Sequence, residues 1–342
     1  MATMKKIAKL AGVSRGTVDR VINNRGSVKP ETEKKVREII KTLNYSPNVA
    51  GKNLAVRKKK LKFGFIVFDV LYEHSYFADV IAGIKSRATE LSEFGVTVEI
   101  RESHVNDPTG QIERINELID LGINGLVITP INHPMIADKI QELTSAGIPV
   151  VTSNSDLPNS GRIAYVGSHY YKNGETAAGL MNLVSAGTAN IGIISGSPNV
   201  LCNSERIAGF SDCSQAHYPN LNIVEVKIDD DDDEESYTAT YDMLTKHPEI
   251  NALYLTAAGV RGVCKAVSEL GLAGKLKIIS YDATVPICEY VKDGIITATI
   301  AQQPHTQGSL PLDILLNYLS LGTPPENEFN YTEIEIKIRE SL

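Results

Sequence analysis

The chain has 342 residues, 42% of them hydrophobic and 22% charged, which is ordinary for a soluble globular protein of two or three domains. It shows neither a charged-then-apolar leader nor an apolar run of the ~18 residues that a membrane span requires, so a cytoplasmic location is expected. Charge is unevenly divided: residues 1–60 hold 16 Lys/Arg against 4 Asp/Glu, a balance of +12, whereas residues 61–342 hold 18 against 37, a balance of −19. A basic head on an acidic body is the footprint of a nucleic-acid module joined to something that avoids nucleic acid.

In chain order, Ile7, Ala8, Leu10 and Ala11 lie three and four apart and predict one apolar face of a short helix. Gly12 stops it, because glycine takes a positive φ without a Cβ penalty. Ser14 is placed to cap a second helix by accepting a first-turn backbone N–H. That helix, 15–23, turns Val18, Val21 and Ile22 inward and presents Arg15, Thr17, Arg20 and Asn23 outward. Two short helices across a tight turn, the second carrying donors, form a helix-turn-helix that sets a recognition helix in a major groove. A third helix opens at Pro30, with Glu31 and Glu33 in its first turn, and Val36, Ile39, Ile40 and Leu43 close a three-helix core. Residues 48–54 then have room for one or two helical turns before the basic connector Arg57 to Lys60, too short a helix to be ordered without a partner.

From Phe63 the pattern becomes strand-helix alternation. Strand-length apolar runs fall at 63–68, 125–128, 149–151, 191–194, 252–255 and 276–279, with helical stretches at 77–94, 109–121, 134–146, 171–186, 235–246 and 259–270. Consecutive units of this kind build parallel sheets covered on both faces. About 280 residues exceed one such sheet and predict two lobes. The polar stretch 153–162 is expected to approach a crossing between them. Asp229 to Glu235 is expected to be a solvated loop and the first turn of a helix; the alternative, a metal site, is opposed by the lack of the glycine and spacing of a calcium loop. Cys202, Cys213, Cys264 and Cys288 are scattered and read as reduced thiols, with no metal or cofactor implied.

The phrases IAKLAGVSRGTVDRVINN, NYSPN with Leu54 after it, AGIPVVTSNSD, ERIAGF and YDATVPICEYVKDGIITATIAQQP resemble the lactose-repressor (LacI/GalR) family of transcription regulators. The resemblance covers essentially the whole chain, and its body is similar to periplasmic ribose-type binding proteins. It implies a small all-α head with an α/β body of two doubly wound lobes, of the periplasmic binding protein type I kind. The expected division is a helix-turn-helix domain at 1–46, a hinge helix and connector at 47–60, and a two-lobed effector-binding and dimerisation domain at 61–342. The implied assembly is a homodimer on a near-palindromic double-stranded operator, with no membrane partner. No leucine heptad extends the C-terminus, where 333–338 alternates like a strand, which favours a dimer over a tetramer.

Residue by residue, Arg15, Gly16 and Arg20 match base-reading positions; an arginine fork can bond guanine O6 and N7 together. The alternative is that the arginines merely supply charge, an even choice for Arg15 and the weaker one for Arg20. Ser14, Thr17 and Asn23 would bond phosphates and fix register. Asp19 departs from the family's usual Ser, and would either pair with an arginine or accept from a cytosine amino group. Leu54 matches a hinge leucine that wedges into the minor groove, and a leucine packing two hinge helices is compatible with that. Gly51 stands where relatives carry Ala. In the body, Arg206, Asp282 and Gln302 match the groups that bond sugar hydroxyls. Tyr76 and Phe77 match the aromatics that stack on a sugar's apolar face, and Asn154 and Asp156 lie in a hydroxyl-binding loop. An Arg–Asp pair can equally be a structural salt bridge; the cleft position implied by the resemblance favours ligand binding. Ser155 and Ala257-Ala258 depart from the ribose-binder pattern, so another sugar or a polyol fits as well as ribose.

The reading is a sequence-specific DNA-binding regulator, a repressor by the family's usual direction, controlled by a small sugar or polyol bound between lobes. Two alternatives are a solute-binding protein of a transporter, opposed by the basic head, and a sugar-acting enzyme. For the latter the chain carries no GxxxxGK[ST], no GxGxxG after a strand and no GxSxG.

Overall fold

The computed structural model describes residues 4–22, 28–43, 59–70, 75–229, 231–322 and 324–342. The expectations for Asn23, Gly51, Leu54 and the hinge helix lie outside these residues, as does the side chain of Asp19. The head holds α1 (Met4–Ala11), α2 (Arg15–Ile22) and α3 (Pro30–Thr42). Ile7, Val18, Val21 and Val36 are buried at their junction, with Ile39, Ile40 and Leu43 packed against them. Gly12 has φ 72, so the chain reverses where an L side chain would be strained. Leu10 corrects the predicted apolar face, for it is 53% exposed. It is turned roughly 100° around the helix from Ala11, beyond the edge of the buried stripe.

The body then runs β1 (Lys62–Phe68), α4 (Tyr76–Ser92), β2 (Thr97–Ser103), α5 (Pro108–Asp120), β3 (Gly125–Ile128), α6 (Pro134–Ser145), β4 (Val150–Ser153) and β5 (Ala164–Gly167). It crosses to a second lobe at 168–169. There it forms α7 (Tyr170–Val184), β6 (Ala189–Ser195), α8 (Leu201–His217), β7 (Leu221–Ile228), α9 (Asp233–Lys246), β8 (Ala252–Leu255), α10 (Val260–Glu269), β9 (Lys277–Tyr281), α11 (Val285–Lys292) and β10 (Ala298–Ala301). It returns at 302–303 for α12 (Pro304–Leu321) and β11 (Phe329–Tyr331). It crosses once more for β12 (Glu335–Lys337) and a closing 3-10 turn, Arg339–Ser341.

The two sheets have the same plan, β11-β5-β4-β3-β1-β2 and β12-β10-β9-β8-β6-β7. All pairs are parallel except β10 with β12. Each sheet is apolar on both faces. In the first lobe Ile66, Ile115, Leu126 and Ile136 pack on one side and Phe65, Ile84, Val127 and Leu315 on the other. Such strands read as unbroken apolar runs because neither face meets water. The three crossings lie side by side and are tied together. Thr332 N donates to the Gly167 carbonyl at 2.9 Å, Glu333 N donates to Gln303 Oε1 at 3.3 Å, and His169 stacks on Tyr331. From the basic connector, Lys59 Nζ donates to the Leu319 carbonyl at 2.7 Å, a cation at the C-terminal end of α12.

Two corrections concern polar loops. Residues 153–162 do not cross between lobes; they join β4 to β5, and the crossing follows β5. The acidic run is not wholly solvated, because Asp229 is 1% exposed and bonded to the Ser236 hydroxyl, while Asp232 caps α9 by accepting from Glu234 N and Glu235 N.

Candidate functional site: an interlobe cleft and a recognition helix

Between the lobes lies a cavity of about 150 Å³. It opens at the carboxyl ends of both sheets, the place where doubly wound sheets leave a crevice. Of the seven residues expected to bind ligand, six line it: Tyr76, Phe77, Asn154, Arg206, Asp282 and Gln302.

Local folding explains their positions. Asn154 follows β4 with φ 63 and Asp282 follows β9 with φ 71. A left-handed conformation costs a non-glycine residue roughly 1–2 kcal/mol, and asparagine and aspartate tolerate it best. Both turns are held by backbone bonds, Asn154 N to the Val166 carbonyl at 3.0 Å and Asp282 N to the Ile300 carbonyl at 2.9 Å. Arg206 is carried by α8, which lies directly on α7. A Cβ at Gly209 would strike the Tyr171 carbonyl, and one at Gly174 would strike the carbonyl of Arg206 itself. Only glycines allow this approach, and it fixes the depth of the arginine.

Arg206 is 3% exposed. Its guanidinium lies over Tyr281, 3.7 Å from the ring centroid, with Tyr170 at 4.9 Å. Nη1 donates to the Thr256 carbonyl at 2.5 Å and Nη2 to Gln302 Oε1 at 2.9 Å. Gln302 Nε2 in turn donates to Asp282 Oδ1 at 2.7 Å. Arginine and aspartate are therefore linked through an amide. Arg206 Nε is buried without a hydrogen-bond partner, and so is Thr284 Oγ1 in the cavity wall. Orphaned buried polar atoms are rare and costly, which marks these as awaiting a partner.

Burial pushes the Asp282 carboxyl up to about 6, against the Arg206 charge and the Gln302 hydrogen bond, so it is ionised at neutral pH. Burial also raises the Tyr76 phenol, which accepts from Asn154 Nδ2 at 3.0 Å, and pushes the Cys202 thiol up to about 12, leaving it unreactive. On the side away from the crossings, Ser197 Oγ donates to Asn106 Oδ1 at 2.7 Å, and Asn132 N donates to the Asn199 carbonyl at 2.8 Å. These bonds close one lobe on the other.

Asp156 does not join the cleft. Arg162 donates to both of its oxygens, Nε at 2.5 Å and Nη2 at 2.6 Å, and Thr152 Oγ1 donates at 2.6 Å. A carboxylate so saturated has no need of ligand hydroxyls. Asp231, Asp69, His104 and Thr284 line the cavity without having been singled out. Asp231 lay in the acidic run; its place after β7, at a strand's carboxyl end, was the only available signal.

In the head, Ser14 Oγ accepts from Thr17 N at 3.1 Å and caps α2. Ser14 Oγ also lies 3.0 Å from Thr17 Oγ1. Arg15, Gly16 and Arg20 are exposed on α2. Among the described residues, no group of three or more His, Cys, Asp and Glu is placed to hold a metal ion, and no helix is long and apolar enough to cross a membrane.

A helix-turn-helix head on a two-lobed ligand-binding body defines a DNA-binding regulator governed by a small molecule. Residues 3–48 match the bacterial regulatory proteins of the lacI family, and residues 64–324 match the periplasmic binding protein domain family. The chain is 25% identical to catabolite control protein A of Staphylococcus epidermidis, over 93% of this chain and 92% of the relative. It is 28% identical to the HTH-type transcriptional repressor PurR of Haemophilus influenzae, over the whole chain and 99% of that protein. In three dimensions it is similar to an ABC-transporter solute-binding protein of Burkholderia graminis solved with D-arabinose. That match has a TM-score of 0.75 and 26% identity, covering 82% of this chain and 96% of the other. The chain belongs to the lacI family of transcription regulators and carries a periplasmic binding protein domain as its body.

Proposed function

We propose that this protein is a cytoplasmic, homodimeric repressor whose operator affinity is set by a small sugar or polyol in the interlobe cleft. The observation that carries the effector half is Arg206: a buried guanidinium whose Nε has no partner, linked through Gln302 to an ionised carboxylate. Donors and acceptors side by side suit vicinal hydroxyls, which both give and take hydrogen bonds. Tyr76 and Phe77 supply an aromatic wall for the less polar face of a ring. The relative solved with D-arabinose supports the same chemistry.

Arg15 and Arg20 read base edges, Ser14, Thr17 and Asn23 hold phosphates, and Leu54 enters the minor groove between paired heads. The working division is 1–46 for DNA, 47–60 for the connector and 61–342 for effector and dimer contacts. A ligand changes DNA binding only through unequal affinity for two lobe arrangements. The crossings at 168–169, 302–303 and 332–334 are where such a change is transmitted.

The test is fluorescence anisotropy of a labelled operator, selected from random duplexes, with and without each sugar of a panel. The expected result is binding that weakens at least tenfold with one sugar, and that Arg20→Ala weakens by about 1–3 kcal/mol on that operator alone. Sugar-insensitive binding sinks the effector half, and equal binding to all duplexes sinks the sequence-reading half. Sedimentation of the protein–DNA complex gives the stoichiometry, expected as two chains per duplex.

A further inference from the structure

The strand order gives the cavity two ends. Asn154, Asp282 and Gln302 follow β4, β9 and β10, on the side of the crossings, whereas Asp69, His104 and Asp231 follow β1, β2 and β7, at the side remote from them. Arg206 is the one Lys or Arg side chain among the described residues lining the cavity, against three carboxylates, Asp69, Asp231 and Asp282. Its guanidinium is tied to the Thr256 carbonyl and, through Gln302, to Asp282. The remote end holds the other two carboxylates, one from each lobe. His104 adds no positive charge there, because an imidazole whose Nδ1 accepts, as it does from Asn106 N at 3.2 Å, is the uncharged form.

Both carboxylates are built into place. Asp231 holds a φ of 67, which costs a residue with a side chain, and its Oδ1 accepts from Ala258 N at 3.1 Å. A Cβ at Gly196, just past β6, would strike that carboxylate, so the glycine leaves room for it. Asp69 is set by its N–H, which donates to the Ser103 carbonyl at 3.2 Å, and its carboxylate has no hydrogen-bond or ion-pair partner among the described residues. Two carboxylates at one end of a partly dehydrated cleft disfavour each other, and a cation between them reverses the sign. The same cavity awaits a ligand on separate grounds, since Arg206 Nε and Thr284 Oγ1 are buried there without partners.

Resting on the sugar-sensing reading above, we infer that the effector is an amino sugar, whose ammonium group is held by Asp69 and Asp231 at the cleft end remote from the crossings. Its hydroxyls meet Arg206, Asp282 and Gln302 at the other end. An ammonium has three donors and no acceptor, which suits carboxylates that can only accept.

Isothermal titration of the full-length chain at neutral pH tests this with matched sets: an aldohexose, its 2-amino and 6-amino deoxy analogues, and the N-acetyl form of each amine. Glucose, galactose and mannose supply three sets. In the set that binds, one amine is expected to bind at least about tenfold more tightly than its parent, as attraction between close charges in a cleft of intermediate dielectric requires. Acetylation, which keeps the nitrogen and removes its charge, is expected to abolish that gain. Asp69→Asn and Asp231→Asn are each expected to narrow the ratio between amine and parent, a readout that a general loss of folding does not move. Amines that bind no better than their parents overturn the inference and leave the sugar-sensing reading intact. An N-acetyl form that matches its amine, or a ratio unchanged in both variants, overturns it likewise. Heat from no member of any set overturns this inference and the sugar reading together.

Discussion

Each lobe holds a buried arginine with an aspartate near it, buried in the first lobe and half-buried in the second, and the two pairs are used differently. In the first lobe Arg162 and Asp156 close on each other through two short bonds, and Thr152 completes the carboxylate. In the second, Arg206 and Asp282 never meet; Gln302 stands between them and an N–H of the arginine is left over. The first pair is saturated and holds the β4–β5 loop. The second is incomplete, at a cavity, and its missing partners are those a ligand supplies. Burial of an Arg–Asp set therefore does not distinguish a strut from a site, whereas unspent hydrogen-bonding capacity does.

Four substitutions or conditions break or sharpen that contrast. The largest effect is expected from Arg162→Ala, which strands the buried Asp156 carboxylate. Removing one partner of a buried pair costs about 3–5 kcal/mol, seen as a lowered urea midpoint with the sugar specificity of the surviving folded protein unchanged. Arg206→Ala is expected to act on ligand instead. Loss of a charged hydrogen-bond donor is worth about 1.5–3 kcal/mol, so titration calorimetry should show affinity down about a hundredfold. If its main effect is instead on folding while affinity holds, Arg206 is a second strut.

Gln302→Ala removes the link and is expected to cost about tenfold in affinity, in line with one neutral hydrogen bond of ~1.5 kcal/mol. A double-mutant cycle with Asp282→Asn should show strong coupling, since the two side chains touch. The smallest effect is that of pH. Burial raises the folded Asp282 carboxyl to about 6, so its protonation favours the folded chain and that stability is lost as pH rises through about 6. Asp229, pushed by burial up to about 7, contributes with the same sign, so stability alone does not isolate Asp282. Ligand affinity does, with the opposite trend. The ionised carboxylate accepts sugar hydroxyls, so affinity is expected to fall about tenfold from pH 7 to pH 5. In Asp282→Asn, whose side chain tolerates the same left-handed turn, the profile should be flat.

Much of the fold was legible because its elements are buried on the faces that periodicity reports. The strand-length runs at 63–68, 125–128, 149–151, 191–194, 252–255 and 276–279 fall on β1, β3, β4, β6, β8 and β9, interior to their sheets. The strands not anticipated have other surroundings. β2 and β7 are edges whose side chains are nearly all partly or fully exposed, while β5 and β10 are four residues long and flank the crossings. α8 was not anticipated either, because its buried face includes Cys202, Asn203, Arg206 and Ser214, which turn toward the cleft or a neighbouring helix rather than an apolar sheet.

By itself, the sequence determined the parts and their order. Local physics writes them plainly: a turn glycine between two short helices, a cap at Ser14, apolar runs of strand length, and a charge balance that changes sign at the connector. Tertiary structure alone decided which polar residues share a cavity. Arg206 and Gln302 lie 96 residues apart, yet their atoms are 2.9 Å from each other. Asp156 and Arg162 are six residues apart, and each satisfies the other. Whether a carboxylate is spent or available depends on which donors the packed lobes bring to it, and chain packing fixes those donors across distances that local pattern does not reach.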